Sequence, residues 1–340
     1  MIACASIPIT SKMPDIFIPR MKPRPTLVFD TYWKFAQERQ MVFFNRLKNE
    51  LPPWTKDPIL ANYKFTNAYR AADRVSQYLI SNVIYSKIRS SKDTLFRILL
   101  FKIFNKIETW EYLEKHIGEI TYDKFDYILF SNLLFELKRH GKSIYSGAYI
   151  MASGKSFYKK EMKHENHLLL IKDIMEGPLL EEIPKFTNMH QLYDALLKFP
   201  TIGKFLAYQY AIDINYSPLC NFSEMEFVKA GPGAIDGITK CFKSGGEYSY
   251  EDIIHWVTES QEKEFERLDI KFQSLWGRDL QLIDCQNLFC EIDKYSRVAH
   301  PEYLGKSERT RIKRKFKPTS LKSINYFFPP KWNINNLISS

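Results

Sequence analysis

Residues 189–214 read MHQLYDALLKF-PTIG-KFLAYQYAIDI, two apolar-periodic runs joined by a four-residue turn. In the first run Leu192, Tyr193 and Leu196 recur at three- and four-residue spacing, as on one face of a helix. Pro200 cannot continue that helix and Gly203 opens the next, so the stretch predicts a helix–hairpin–helix. Gly203 lets the backbone approach an anion closely, and the free N–H groups at the start of the second helix point at it. Lys204 adds a positive charge at the same place. Thr201, Gly203 and Lys204 are therefore candidate contacts to a phosphate.

The surrounding chain has the same helical style. Helices are expected from Asp30 as N-cap to the Pro52-Pro53 stop, over 68–86, 93–104, 109–118 and 122–139, and over 161–176. Beyond the hairpin they are expected over 232–243, 249–266 and 278–298. Segment 143–160 is the least helical, no run alternates convincingly with period two, and no fixed repeat occurs. Glycine and proline together make only 30 of 340 residues, which argues against a loop-rich β-sandwich. The expected fold is mostly α, organised as an extended proline-bearing arm (1–29), a helical body (30–300) and a basic tail (301–340).

The composition, 45% apolar and 26% charged, is that of a globular chain. Forty-nine basic against 39 acidic residues leave a charge of +10, which favours a polyanionic partner. Arg309, Arg311, Lys313, Arg314, Lys315 and Lys317 crowd into nine residues of the tail, and Arg311 and Arg314 are taken as phosphate contacts. The alternative for this tract is a solvated tail. Five scattered cysteines lack zinc-ribbon or iron–sulfur spacing, and no metal or cofactor is expected. The most apolar stretch, LFRILLFKIF (95–104), carries Arg97 and Lys102 and is too short to span a bilayer. With no signal sequence ahead of it, the expectation is a cytoplasmic protein with no membrane association.

Two GKS triplets, at 141–143 and 154–156, mimic a phosphate-binding loop. The glycine such a loop needs five residues upstream is Glu136 in one and Tyr149 in the other. His164 and His167 in HENH match neither a zinc hydrolase nor a nucleobase deaminase, and are read as surface histidines.

Three further motifs flank the hairpin. The first is TNAYRAADRVSQYL (66–79), in which Asn67, Arg70, Arg74 and Gln77 recur at helical spacing and Asp73 can reach Arg70. The second is VKAGPGA (228–234), where Gly231 and Gly233 open a helix and offer a second candidate phosphate site. The third is DCQNLFCEIDKY (284–295), which sets Asp284, Asn287, Glu291 and Lys294 on one helix face, with Gln286 beside them. That face either lines a polar pocket, the favoured reading, or belongs to a core helix with paired charges.

The hairpin resembles that of the helix–hairpin–helix DNA glycosylases. The three motifs together resemble the DNA base-hypermodification family, which carries the labels amino acid:DNA transferase, α-glutamyl/putrescinyl-thymine pyrophosphorylase and hydroxymethyluracil DNA kinase helical domain. The resemblance spans roughly residues 60–300. It implies a glycosylase-like helical fold and double-stranded DNA with modified bases as partner. For Asn67, Arg70, Asp73, Arg74, Gln77, Gln286, Asn287 and Glu291 it implies contacts to a flipped base. Glu224 and Glu226, about twenty residues after Gly203, stand where glycosylases carry their carboxylate, and Asp284 and Lys294 complete the catalytic candidates. Phe205 stands where the strand-cleaving branch has lysine, so excision would be monofunctional. The main expectation is excision of a hypermodified base, as in defence against phage. The alternative is transfer of an amine or amino acid onto an activated 5-hydroxymethyluracil.

Overall fold

The computed structural model describes residues 21–48, 51–316 and 325–338. Most of the expected N-terminal arm, and Lys317, lie outside the described residues.

Fifteen α-helices and one two-stranded sheet are present among the described residues. Strand β1 (Arg24–Pro25) pairs antiparallel with β2 (Phe242–Ser244) and leads into α1 (Leu27–Leu47). That helix starts three residues before Asp30, because Thr26 is the cap. Its hydroxyl accepts the Val28 N–H at 3.1 Å and donates to the Lys240 carbonyl at 2.6 Å. Then come α2 (Pro58–Asn62), α3 (Arg74–Tyr78), α4 (Ser91–Phe104), α5 (Ile107–Ile117), α6 (Tyr127–Arg139), α7 (Lys155–Tyr158), α8 (Lys163–Glu176) and α9 (Leu179–Glu182). The second half holds α10 (Met189–Leu197), α11 (Lys204–Asn215), α12 (Pro232–Cys241), α13 (Tyr250–Glu259), α14 (Gln261–Arg267) and α15 (Leu282–Ala299). The helix expected over 249–266 is broken at Ser260, and the last long helix begins at Leu282 rather than 278.

Two packed groups position the site. Helices α12 and α15 lie in close contact, and this requires Gly237. A Cβ there would sit 1.9 Å from the Phe289 carbonyl oxygen. Helix α1 closes this group through Tyr32 on Phe289 and Phe29 on Phe242. The other group surrounds α4, whose residues 94–104 are buried on every side. Arg97 is tolerated there because its guanidinium donates to the carbonyls of Val83, Ile120 and Asn82. The hairpin helices α10 and α11 join the two groups, and α11 carries a nearly continuous set of buried residues from Leu206 to Asn215.

Two expectations are corrected. Residues 68–86 do not form one helix. Residues 66–69 are not helical, a 3₁₀ turn follows at Arg70–Ala72, and α3 leads into a π-helical turn at Leu79–Ile84. The cause is competition by side chains for the backbone. Asp73 accepts the Asn67 N–H at 2.8 Å, while the Asn67 and Gln77 amides donate to the carbonyls of Ala72 and Ala71. His164 and His167 are not surface residues but are buried, with 2% and 1% exposure. His167 takes the Tyr145 hydroxyl at Nδ1 and lies 2.7 Å from the Ala152 carbonyl at Nε2, and burial pushes its pKa down to about 4.

Among the described residues no helix is long and apolar enough to cross a membrane.

Candidate functional site

Arg70 is the residue on which the three elements converge. Its backbone N–H donates to Asp284 Oδ1 on α15 at 2.8 Å. Its guanidinium donates to three groups of the second hairpin helix and its end: Asp213 Oδ1 at 2.6 Å, Gln209 Oε1 at 3.2 Å and the Tyr216 hydroxyl at 3.2 Å. The other oxygen of Asp213 takes Lys102 Nζ from α4 at 2.7 Å. All three charged side chains are at most 3% exposed.

Two cations thus share one carboxylate. Burial alone would raise Asp213, but Arg70 and Lys102 outweigh it and hold the carboxyl below its ordinary value. Burial and the neighbouring Arg70 guanidinium bring Lys102 down to about 8, against the pull of Asp213. A ring roofs the cations: Lys102 Nζ lies 3.9 Å from the Tyr149 ring centroid, and Tyr149 stacks on Phe205 of α11 at 6.0 Å. Tyr149 has φ +55°, a left-handed conformation unusual for a bulky residue.

Next to this cluster lies an acidic pair. Burial pushes the Asp284 carboxyl up to about 7, although it accepts the Arg70 and Gln281 N–H groups; Glu224 adds to the rise and Arg278 opposes it. Glu224 is buried and pairs with Arg278 at 3.1 Å, and the Arg278 guanidinium lies 3.8 Å from the Trp332 ring centroid. Glu224 sits in the loop between α11 and α12, eight residues short of the next helix, and Glu226 beside it is exposed.

Helix α15 presents its polar face not to an open pocket but to the backbone of 66–70. Glu291 accepts the Thr66 N–H at 3.1 Å and Asn287 donates to the Thr66 hydroxyl at 2.9 Å. Lys294 pairs with Glu291 at 2.5 Å. Ten residues of helix set Lys294 about 15 Å along the axis from Asp284, so these two do not act on one atom. Gln286 is buried on another side of α15, near Gly231.

Asp73 is held at about 7 chiefly by burial. Arg74 is exposed and lies 3.9 Å from Glu108. Gly231 caps α12, and its lack of a side chain makes room for Phe205, whose ring a Cβ would meet at 2.5 Å. Gly233 likewise faces Cys290. In the hairpin Gly203 and Lys204 are exposed, Thr201 has φ +69°, and a Cβ on Gly203 would meet nothing within 4 Å. Arg311 and Arg314 are exposed, on a strip whose backbone is tied down: Lys64 N–H donates to Arg314 O, and Arg297 to Arg311 O.

Sequence reasoning missed Lys102, Tyr149, Gln209, Asp213, Tyr216 and Arg278. The signal existed for two of them. Asp213 is the one acidic residue in KFLAYQYAIDIN, and Lys102 interrupts LFRILLFKIF. Each is a charge in a helix otherwise fit for full burial, which requires a partner.

A hairpin helix, a buried shared carboxylate and a polar α15 define a helical domain with an internal charged centre. The sequence matches the family described as "5-hmdU DNA kinase, helical domain" over residues 26–305, and the chain belongs to that family. It is 26% identical over 288 residues to the 5-hmdU DNA kinase of Bacillus phage SP10, a match covering 79% of this chain and 45% of that relative. The chain therefore spans under half the length of that protein. No solved structure matches.

Proposed function

We propose that this chain binds DNA containing 5-hydroxymethyluracil or a derivative activated at its 5-methylene, and serves modification of that base rather than its excision. The observation that carries the reading is the Arg70–Asp213–Lys102 centre. Two buried cations share the Asp213 carboxylate beneath the Tyr149 ring, and a site rich in cations favours a group that is, or becomes, anionic. In transfer chemistry an amine nitrogen bonds to the 5-methylene carbon. The carbon–oxygen bond breaks with its electron pair leaving on phosphate, and the nitrogen gives up a proton. The cations would stabilise the departing anion.

Excision would instead need a carboxylate facing a sugar that becomes positive. Glu224, at the glycosylase offset, is neutralised by Arg278, and both oxygens of Asp213 are engaged. Family membership and the name of the phage relative also support base modification. Phosphoryl transfer by a P-loop is not assigned to these residues: Gly141 follows α6, Gly154 precedes the four-residue α7, and neither follows a strand. Thr201, Gly203 and Lys204, with Arg311 and Arg314, are the DNA-backbone contacts of this reading.

The test is nucleoside mass spectrometry after incubating the protein with DNA carrying 5-hydroxymethyluracil or its phosphate ester, with and without an amine. A heavier nucleoside with the base retained is expected from the ester and amine together. Free base and alkali-labile sites would overturn the reading and restore excision.

A further inference from the structure

Segment 143–160, the least helical stretch of the sequence, forms the rim beside the hairpin. An added Cβ at Gly154 would lie 3.5 Å from Thr201 Cγ2, and Tyr149 stacks on Phe205. Arg314 reaches the same rim, since a Cβ on Gly147 would fall 2.2 Å from its Nη2. Residues 142–163 contain five lysines and a single acid, Glu161. Lys204 is exposed next to the segment, as are Lys159 and Lys160 within it, and Lys155, also exposed, pairs with Glu161 at 2.6 Å.

In the middle of this basic rim stands Ile150, 73% exposed. A lone exposed aliphatic side chain is ordinary. Ile150 is set apart by the way its neighbours are fastened. Tyr149 points inward onto Lys102. Met151 is buried, its sulfur takes the Tyr210 hydroxyl at 3.4 Å, and its carbonyl accepts Lys163 at 2.8 Å. The Ala152 carbonyl is held by buried His167. Ile150 thus projects between a neighbour anchored by its ring and a backbone pinned at Met151 and Ala152, while Phe157, 58% exposed, is the other large apolar side chain of the rim and lies beyond the Gly154 turn. Ile88 is more exposed still, but Tyr85 places that loop at the far end of α11, on the Tyr216 carbonyl, away from the hairpin turn.

We propose that Ile150 is a wedge that enters the base stack of duplex DNA and fills the gap left by the extruded nucleotide, while the lysine rim, Lys204 and Arg314 hold the flanking phosphates. The proposal rests on the DNA-modification reading above. A rigid apolar side chain in a basic surround is what unstacking a base step requires, and extrusion is needed before a base can reach a buried centre. Because Tyr149 is the adjacent residue and faces the opposite way, the wedge and the roof over Lys102 belong to one short stretch of backbone.

The experiment uses the full chain and a duplex with one 5-hydroxymethyluracil beside 2-aminopurine, whose fluorescence rises on unstacking. The parent protein raises the fluorescence on binding. Ile150→Ala loses that rise and binds the modified duplex about tenfold more weakly, the scale of a large aliphatic side chain no longer buried, with an unchanged salt slope. Ile150→Leu restores the rise, and Ile88→Ala behaves as the parent. A full rise in Ile150→Ala overturns the wedge. A parent protein that binds without any rise overturns the wedge and leaves the DNA reading standing. A parent that binds no DNA overturns both.

Discussion

Lys102 Nζ lies 2.7 Å from Asp213 Oδ2, a contact that ties the buried helix α4 to the second helix of the hairpin. Asp213 also holds Arg70, so removing its charge leaves two buried cations with no counter-ion. Asp213→Asn should destabilise the fold by about 3–5 kcal/mol, the usual cost of breaking a buried pair from one side. Lys102→Met should cost less, because a one-to-one Arg70–Asp213 pair survives. Urea unfolding of the two variants checks the order, and a Lys102 variant worse than the Asp213 one contradicts it.

Asp284 and Asp73 each titrate near 7 in the fold, against 3.8 ordinarily. A raised carboxyl pKa means that the folded state binds the proton more tightly. The stability it contributes is complete below about pH 4 and is lost as pH rises through about 7. Unfolding free energy should therefore fall between pH 5 and pH 8, by up to about 1.4 kcal/mol per pH unit for each group. Asp284→Asn and Asp73→Asn should each flatten that slope, whatever they do to absolute stability. Parallel slopes in parent and variants would refute the assignment.

Binding to duplex DNA should weaken steeply with salt, as phosphate contacts release counter-ions. Lys204→Ala and Arg314→Ala should each lower the slope of log K against log salt by about one, with little dependence on sequence. Titrations at three salt concentrations measure this, and unchanged slopes would place the phosphate surface elsewhere.

Glu224 and Glu226 are two residues apart in sequence and differ fully in environment. Glu224→Gln should cost about 1.5–3 kcal/mol through its lost charged contact with Arg278. Glu226→Gln should change stability by no more than about 0.5 kcal/mol. Thermal or urea denaturation of both distinguishes them.

The hairpin was legible because its signals are local: periodicity on either side of Pro200 and a glycine at the next helix start. The mostly helical class and the family resemblance were legible for the same reason. The charged centre was not. Lys102, Tyr149 and Asp213 are far apart in sequence, and only the packing of α4 against α11 brings them together. The stripe expected over 67–77 failed through a local rule instead. Asn67 and Asp73 offered the backbone hydrogen bonds that compete with a helix, and three motif residues that looked like ligands for a base hold the turn that presents Arg70.

The family match stops at residue 305, yet the fold does not. Lys331 donates to the carbonyls of Asn215, Ser217 and Cys220, the end of α11 and the turn beyond it. Trp332 covers Arg278, the Phe327 N–H reaches Gln77 at 2.8 Å, and Phe328 is fully buried. A chain cut at the family boundary would leave those carbonyls facing the interior and expose the partner of Glu224. Residues 325–338 act as a keystone set after the arch. An evolutionary exchange of domains at position 305 would have to supply another donor for those carbonyls and another cover for Arg278.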